Sequence, residues 1–98
     1  MDNTLHRNDE KRRFELEVEG HTAFIEFIVD KDNNMYLTHT EVPTALGGKG
    51  VGKSIVEKAL HYLKDNGYKL APLCPFVAAY LKRNPEWKSL LAPGYNIG

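Results

Sequence analysis

The segment GGKGVGKS, Gly47 to Ser54, sets four glycines and two lysines at the start of a helical pattern. Such a turn exposes successive backbone N–H groups to an anion, and the helix start adds partial positive charge. Glycines packed this densely give up chain entropy that a plain turn does not need, so close approach of a ligand to the backbone is the better account. Cys74 precedes Pro75 at the start of a further helical stretch, a setting that favours thiolate and so a nucleophilic sulfur. His39 and Glu41 are two apart in an extended segment, share a face, and together could relay a proton through water. The same residues also suit a small buried thiol and a solvated strand edge.

Gly47 to Ser54 also fits the phosphate-loop pattern G-x-x-x-x-G-K-[ST] at each fixed position. A nucleotide triphosphatase further needs a magnesium-holding acid at the end of a later apolar strand, within a mostly parallel sheet. Here the later strand ends in Leu73-Cys74-Pro75, and the apolar run that ends in an acid, IEFIVD, precedes the loop. That order is wrong for the motif.

The elements that must position these residues follow from the apolar pattern. Residues 1–12 lack an apolar period and are expected to form a flexible lead-in to a single domain over 13–98. Phe14, Leu16 and Val18 alternate with charged residues and turn at Glu19-Gly20 into HTAFIEFIVD, where Ala23, Ile25, Phe27 and Val29 share one face. Asp32, Asn33 and Asn34 supply turn chemistry, and MYLTHTEV closes an antiparallel meander. Val51, Ile55, Val56, Ala59, Leu60 and Leu63 recur at helical spacing up to Asn66-Gly67. YKLAPLC then predicts a strand parallel to the third, reached by a right-handed crossover. Pro75 opens a helix to Arg83, Asn84-Pro85 stops it, and Trp87, Leu90 and Leu91 fold back as an apolar cover. The fold class is α+β, an antiparallel β-meander continued by a β-α-β crossover and a C-terminal helix.

Composition narrows the setting. Ninety-eight residues, 42% hydrophobic and 27% charged, suit one small domain. Thirteen basic side chains balance thirteen acidic ones, so no overall field draws the molecule to nucleic acid or an anionic membrane, and any anion site must be local. A lone cysteine, a polar N-terminal stretch without a signal-peptide core, and apolar runs well short of the roughly 20 residues that span a bilayer point to the cytoplasm. His6, His21 and His61 lack metal-ligand spacing, so no metal is expected.

With the loop, the segments HTEVP (39–43) and PLCPFVAAYLKRNPEW (72–87) and the helix between them in view, the chain resembles the GNAT superfamily of N-acetyltransferases, in particular its short single-domain members. The resemblance covers roughly Arg13 to Leu91. The family signature is Arg or Gln, two residues, Gly, one residue, then Gly or Ala. Gly50 and Gly52 fill the small positions, whereas Gly47 stands where the family has Arg or Gln.

The resemblance implies acetyl-CoA as co-substrate and an amine as acceptor. Its pyrophosphate would lie on Gly47, Gly48, Lys49, Gly50, Val51, Gly52 and Lys53, with a lysine compensating for Gly47. Its pantetheine arm would pair with Thr40, Glu41 and Val42 in a gap between the third strand and the parallel one. Tyr80 corresponds to a tyrosine that many members place near the cofactor sulfur, and is the candidate general acid. Transfer would proceed by direct attack of the amine or through acetyl-Cys74, with His39 and Glu41 as the proton relay. Larger members build their acceptor pocket from helices between the first strands; only the Glu19-Gly20 turn stands here, implying an open acceptor side suited to a protein or a small amine. The competing expectation is a non-catalytic acyl-CoA-binding module.

Overall fold

A computed structural model describes residues 4–96. The strands β1 (His6–Asn8), β2 (Arg13–Val18), β3 (His21–Val29), β4 (Asn34–Glu41) and β5 (Lys69–Pro72) form one sheet in chain order. The first four run antiparallel, and β5 runs parallel to β4. Helix α1 (Val51–Asp65) makes the crossover, and α2 (Pro75–Arg83) follows β5. A 3-10 segment, Pro85–Leu90, leads to Leu91, which bridges Leu70 and so extends the sheet beside β5.

The expected α+β architecture is present. Its one departure lies in the lead-in, where His6–Asn8 form an edge strand on β2 instead of a featureless stretch. This strand has no apolar alternation to reveal it, being held by its ladder and by Arg7. The Arg7 guanidinium donates to the hydroxyls of Tyr62 and Tyr68 at 2.9 and 3.0 Å and lies over the rings of Phe27, Tyr62 and Tyr68. A cation on aromatic faces closes the core edge where the sequence offers no apolar residue.

One face of the sheet is apolar. Phe14, Leu16, Val18, Ala23, Ile25, Phe27, Met35 and Leu37 are buried in a single cluster with Val51, Ile55, Val56, Ala59, Leu60 and Leu63 of α1 and Val77 and Leu81 of α2. Both helices therefore lie on that face. The opposite face carries Glu17, Glu26 and an Ile28 that is 54% exposed.

The turn between β3 and β4 is organised by Asp30, whose carboxylate accepts from the backbone amides of Asn34 and Asp32, the Asn34 side chain and the Tyr36 hydroxyl at 2.9 to 3.0 Å. These donors, the Asn34 amide foremost, bring its pKa down to about 2. The sign follows from linkage: a pKa depressed on folding stabilises above the unfolded value near 3.8 and ceases to do so as pH falls toward about 2. Replacing Asp30 with Ala should therefore cost stability at neutral pH and leave a smaller difference from wild type as pH falls from about 4 to 2. Urea melts across that range check it.

Candidate functional site

The site forms where β4 and β5 part. β5 pairs with β4 only over Asn34 to Leu37, ending with Pro72 opposite Leu37. Proline has no N–H to continue the ladder, and the Leu37 carbonyl accepts instead from the Cys74 amide at 2.8 Å. On its other side β4 slips register against β3: Phe27 faces Leu37 and Glu26 faces His39, so Thr38 is an extra, bulged residue.

The bulge decides which side chains face inward. Regular alternation from the buried Met35 and Leu37 would send His39 and Glu41 toward the helices. The extra residue reverses that. Thr40 pairs with the buried Ile25 and turns inward, while His39 and Glu41 turn to the open face, 54% and 58% exposed, with His39 Nε2 3.5 Å from Glu41 Oε1. The two do share a face, on the side away from the helices.

Cys74 occupies the apex of the parting. It is the N-cap of α2, with Pro75 next, is 4% exposed, and its Sγ lies 3.3 Å from Thr40 Oγ1. Thus the inward pair, Thr40 and Cys74, and the outward pair, His39 and Glu41, stand on opposite sides of the same strand end.

The glycine loop follows a short 3-10 turn, Thr44–Leu46, and runs into α1. Gly50 is the helix N-cap at φ 71°, and no side chain caps the helix, so the first-turn amides of Val51, Gly52 and Lys53 lack intrahelical acceptors. A Cβ on Gly50 would meet no protein atom within 4 Å, which leaves the approach to those amides open. Gly48 also has positive φ, 77°, whereas Gly47 at φ −59° closes the 3-10 turn through its N–H to Thr44 O at 3.0 Å. Gly52 is small for another reason: a Cβ there would stand 2.6 Å from Phe76 Cζ, so its absence lets α2 pack close to α1. Val51 is buried, so it offers the loop only its amide. Lys49 is engaged elsewhere, its Nζ lying 3.2 Å from Glu19 Oε2 in the β2–β3 turn.

Tyr80 lies further along α2 and turns toward α1. Its hydroxyl donates to Glu57 Oε2 at 2.9 Å. Burial first, then the bond to Glu57 and that carboxylate's charge, push its pKa up to about 12, so the phenol keeps its proton at neutral pH. Tyr80 also lines a cavity of about 400 Å³ with Lys53, Phe76, Ala79, Arg83 and Asn84. Hence the structure unites Thr40 with Cys74, and His39 with Glu41, but gives Tyr80 its own partner.

Glu57, Glu19 and Arg83 were not reached from the sequence. On α1, Glu57 sits on the polar side of a helical pattern and reads there as a solvated charge; only the closeness of α2 gives it a partner. Glu19 sits at φ 50°, unusual for a residue other than glycine, in a turn that the sequence marks only by Glu19-Gly20. Among the described residues no group of three His, Cys, Asp or Glu side chains could hold a metal ion, and no helix is long and apolar enough to cross a membrane.

A family model for GCN5-related N-acetyl-transferases matches residues 13–90. Among curated proteins, Protein NATD1 of Gallus gallus, of Mus musculus and of Homo sapiens are each 37% identical over 49 residues, 50% of this chain. The matched segment covers 44%, 44% and 43% of those proteins, so the similarity reaches less than half of their length. Among solved structures, a GCN5-like protein from Staphylococcus aureus determined in solution by NMR has a TM-score of 0.69 at 23% identity, covering 94% of this chain and 91% of that one. That likeness is one of fold.

The Glu19–Lys49 pair yields an expectation for any anion at the loop. Glu19→Gln releases Lys49 and removes a nearby negative charge, so it should tighten binding of pyrophosphate by about two- to fivefold at low salt, with the gain fading in high salt. Calorimetric titration at two salt concentrations checks both parts.

Proposed function

Since this chain belongs to the GCN5-related N-acetyltransferase family, we propose that it transfers an acetyl group from acetyl-CoA to an amine, in the gap between β4 and β5. The observation that carries this reading is the coincidence of three features at one end of the sheet: the strands part after Leu37, the uncapped start of α1 faces the loop, and Cys74 stands at the apex.

The residues present fit the co-substrate. The backbone of Thr40 to Val42, past the end of the β5 ladder, is available to pantetheine amides. The amides of Val51 to Lys53 receive the pyrophosphate, and the glycine at position 50 keeps side-chain atoms out of its way. Lys53, Arg83 and Phe76 give the neighbouring cavity two cations and an aromatic ring for the phosphorylated nucleotide end. Lys49 joins them only by leaving Glu19.

The acceptor approaches from the open face of the sheet, where His39 and Glu41 stand at the end of β4. His39, beside Glu41, takes the proton of the incoming ammonium through water at the end of β4. Nitrogen attacks the acetyl carbonyl carbon, the carbon–sulfur bond breaks, and the CoA thiolate leaves and takes up a proton. In the two-step variant the Cys74 sulfur makes the first attack and is itself displaced by the amine, returning to the thiol. The carboxylates of the open face, Glu26 and Glu41 among them, favour a cationic amine there.

Acetyl-CoA titrated against the backbone amides should shift the segments 40–42, 47–54 and 74–80 together, while Mg-ATP should disturb the loop alone. Shifts confined to the loop with acetyl-CoA would sink the assignment of the gap. Gly50→Ala should leave a folded chain, strained by about 1 kcal/mol at its positive φ, that binds acetyl-CoA at least about tenfold more weakly. For turnover, CoA release is followed with peptides, polyamines and small amines. Cys74→Ala abolishes release and leaves no acetylated chain by mass spectrometry if the sulfur carries the acetyl group; undiminished release assigns direct attack. Tight binding with no release from any amine identifies a binding module.

A further inference from the structure

We propose that the cavity between the end of α1 and the 3-10 segment is a second binding site, for a small aromatic anion bearing a phosphate or carboxylate. The cavity, about 470 Å³, is lined by His61 and Lys64 of α1, Tyr68 and Lys69 at the start of β5, and Glu86, Trp87 and Leu90 of the 3-10 segment. Its size lies within the range of small-molecule sites. It shares no lining residue with the cavity assigned to the nucleotide end of acetyl-CoA, and the two adjoin through Trp87, whose backbone N–H donates to the Asn84 carbonyl at 3.1 Å and whose side chain hydrogen-bonds to Tyr80. Gly50 caps one end of α1, and the cavity lies toward the other, its first lining residue His61 eleven residues and so about 16 Å along the helix.

The lining combines two kinds of recognition. Lys64 and Lys69 come from different elements and converge on one opening, and neither forms an ion pair among the described residues. A lysine at a helix C-terminus is favoured by the helix dipole, which accounts for Lys64. It does not account for Lys69, which lies in a strand, nor for His61 on the same wall. Glu86 is the sole carboxylate of the lining, so the cavity is net positive in a chain with no net charge.

The aromatic part is held in place. Trp87 meets His61 edge to face, ring centroids 4.9 Å apart at 88°. Tyr68 is fixed at both ends of its ring, stacked on Tyr62 at 18° and 6.2 Å and accepting through its hydroxyl from Arg7 at 3.0 Å. Two ordered, half-buried rings beside two unpaired ammonium groups suit a flat apolar body with an anionic substituent: the ring gains apolar burial and the anion gains charge-assisted hydrogen bonds. Inorganic anions would use only the second part and neutral aromatics only the first.

Trp87 is the single tryptophan of the chain, so intrinsic fluorescence reads this cavity, and amide shifts at 61–69 separate binding here from effects passed on through Tyr80. Phenyl phosphate is titrated into the intact chain, with phenol and inorganic phosphate titrated separately. The expected result is a saturable change for phenyl phosphate with a Kd of about 1 mM or tighter, at least about fivefold weaker binding of either half, and no displacement by acetyl-CoA. Lys64→Ala combined with Lys69→Ala should weaken phenyl phosphate at least about fivefold while the thermal midpoint stays close to wild type, since both side chains are exposed. Amide shifts should gather at 61–69 and 86–90. Non-saturable quenching, equal binding of inorganic phosphate, an unaffected double variant, or competition with acetyl-CoA would each overturn the proposal. None of these readouts depends on acetyl transfer.

Discussion

β4 can pair with β5 over four residues and no further, and the arrangement of the site depends on that limit. Two local causes produce it. Pro72 ends the β5 ladder because it has no amide hydrogen, and the bulge at Thr38 bends β4 just as its partner stops. An unpaired strand end inside a domain would ordinarily be a liability, since each open backbone group forgoes a hydrogen bond. Here the opening lies beside the loop that leads into α1, so a ligand with amides at one end and phosphates at the other can satisfy both. The bulge also sorts the side chains, turning Thr40 toward Cys74 and sending His39 and Glu41 to the far face. A parting without the reversal would have put the His39 and Glu41 side chains among the apolar residues under the helices.

Much of this was legible in the sequence, and the limits of legibility have physical reasons. Alternation in β2 and β3 and the helical spacing of α1 state directly which residues face the core, because burial follows period. The placement of Pro43 and Pro72 hints at where a ladder opens. A bulge leaves no such mark. Thr38 is an ordinary strand residue, and its displacement shows only when Glu26 is found opposite His39 and Phe27 opposite Leu37. The shared face of His39 and Glu41 was therefore readable, while the side of the sheet they occupy was not. Likewise β1 escaped the apolar pattern because its inward residue is Arg7, which reaches the core through aromatic faces.

The glycines of the loop illustrate how one composition serves several purposes. Gly48 and Gly50 hold positive φ, where a β-carbon is strained. Gly52 has ordinary helical geometry, and what excludes a β-carbon there is the Phe76 ring. The motif reading treats Gly50 and Gly52 alike as room for an anion. In the fold only the first has open space where a β-carbon would stand, while the second brings α2 against α1, where Tyr80 meets Glu57. Helix packing and ligand access are thus written into adjacent positions of the same segment.

In the acetyl transfer proposed above, the electrostatics of Tyr80 bear on how a proton would reach the departing sulfur. A phenol pushed up to about 12 is protonated at neutral pH, yet its proton already points at Glu57. Giving that proton to a thiolate of ordinary basicity near 8.5 runs uphill by more than three units, about 5 kcal/mol, before any gain from position. In that proposed transfer, such a group would polarise and hold a leaving sulfur better than it protonates one, because a hydrogen bond to an anion stabilises charge without full transfer. On the opposite side of the sheet His39 stands exposed beside Glu41, 3.5 Å away. Under the proposed acetyl transfer, charge stabilisation from the helix side and proton removal on the open face would be separate tasks, divided by the single strand whose bulge keeps Thr40 and His39 on opposite sides.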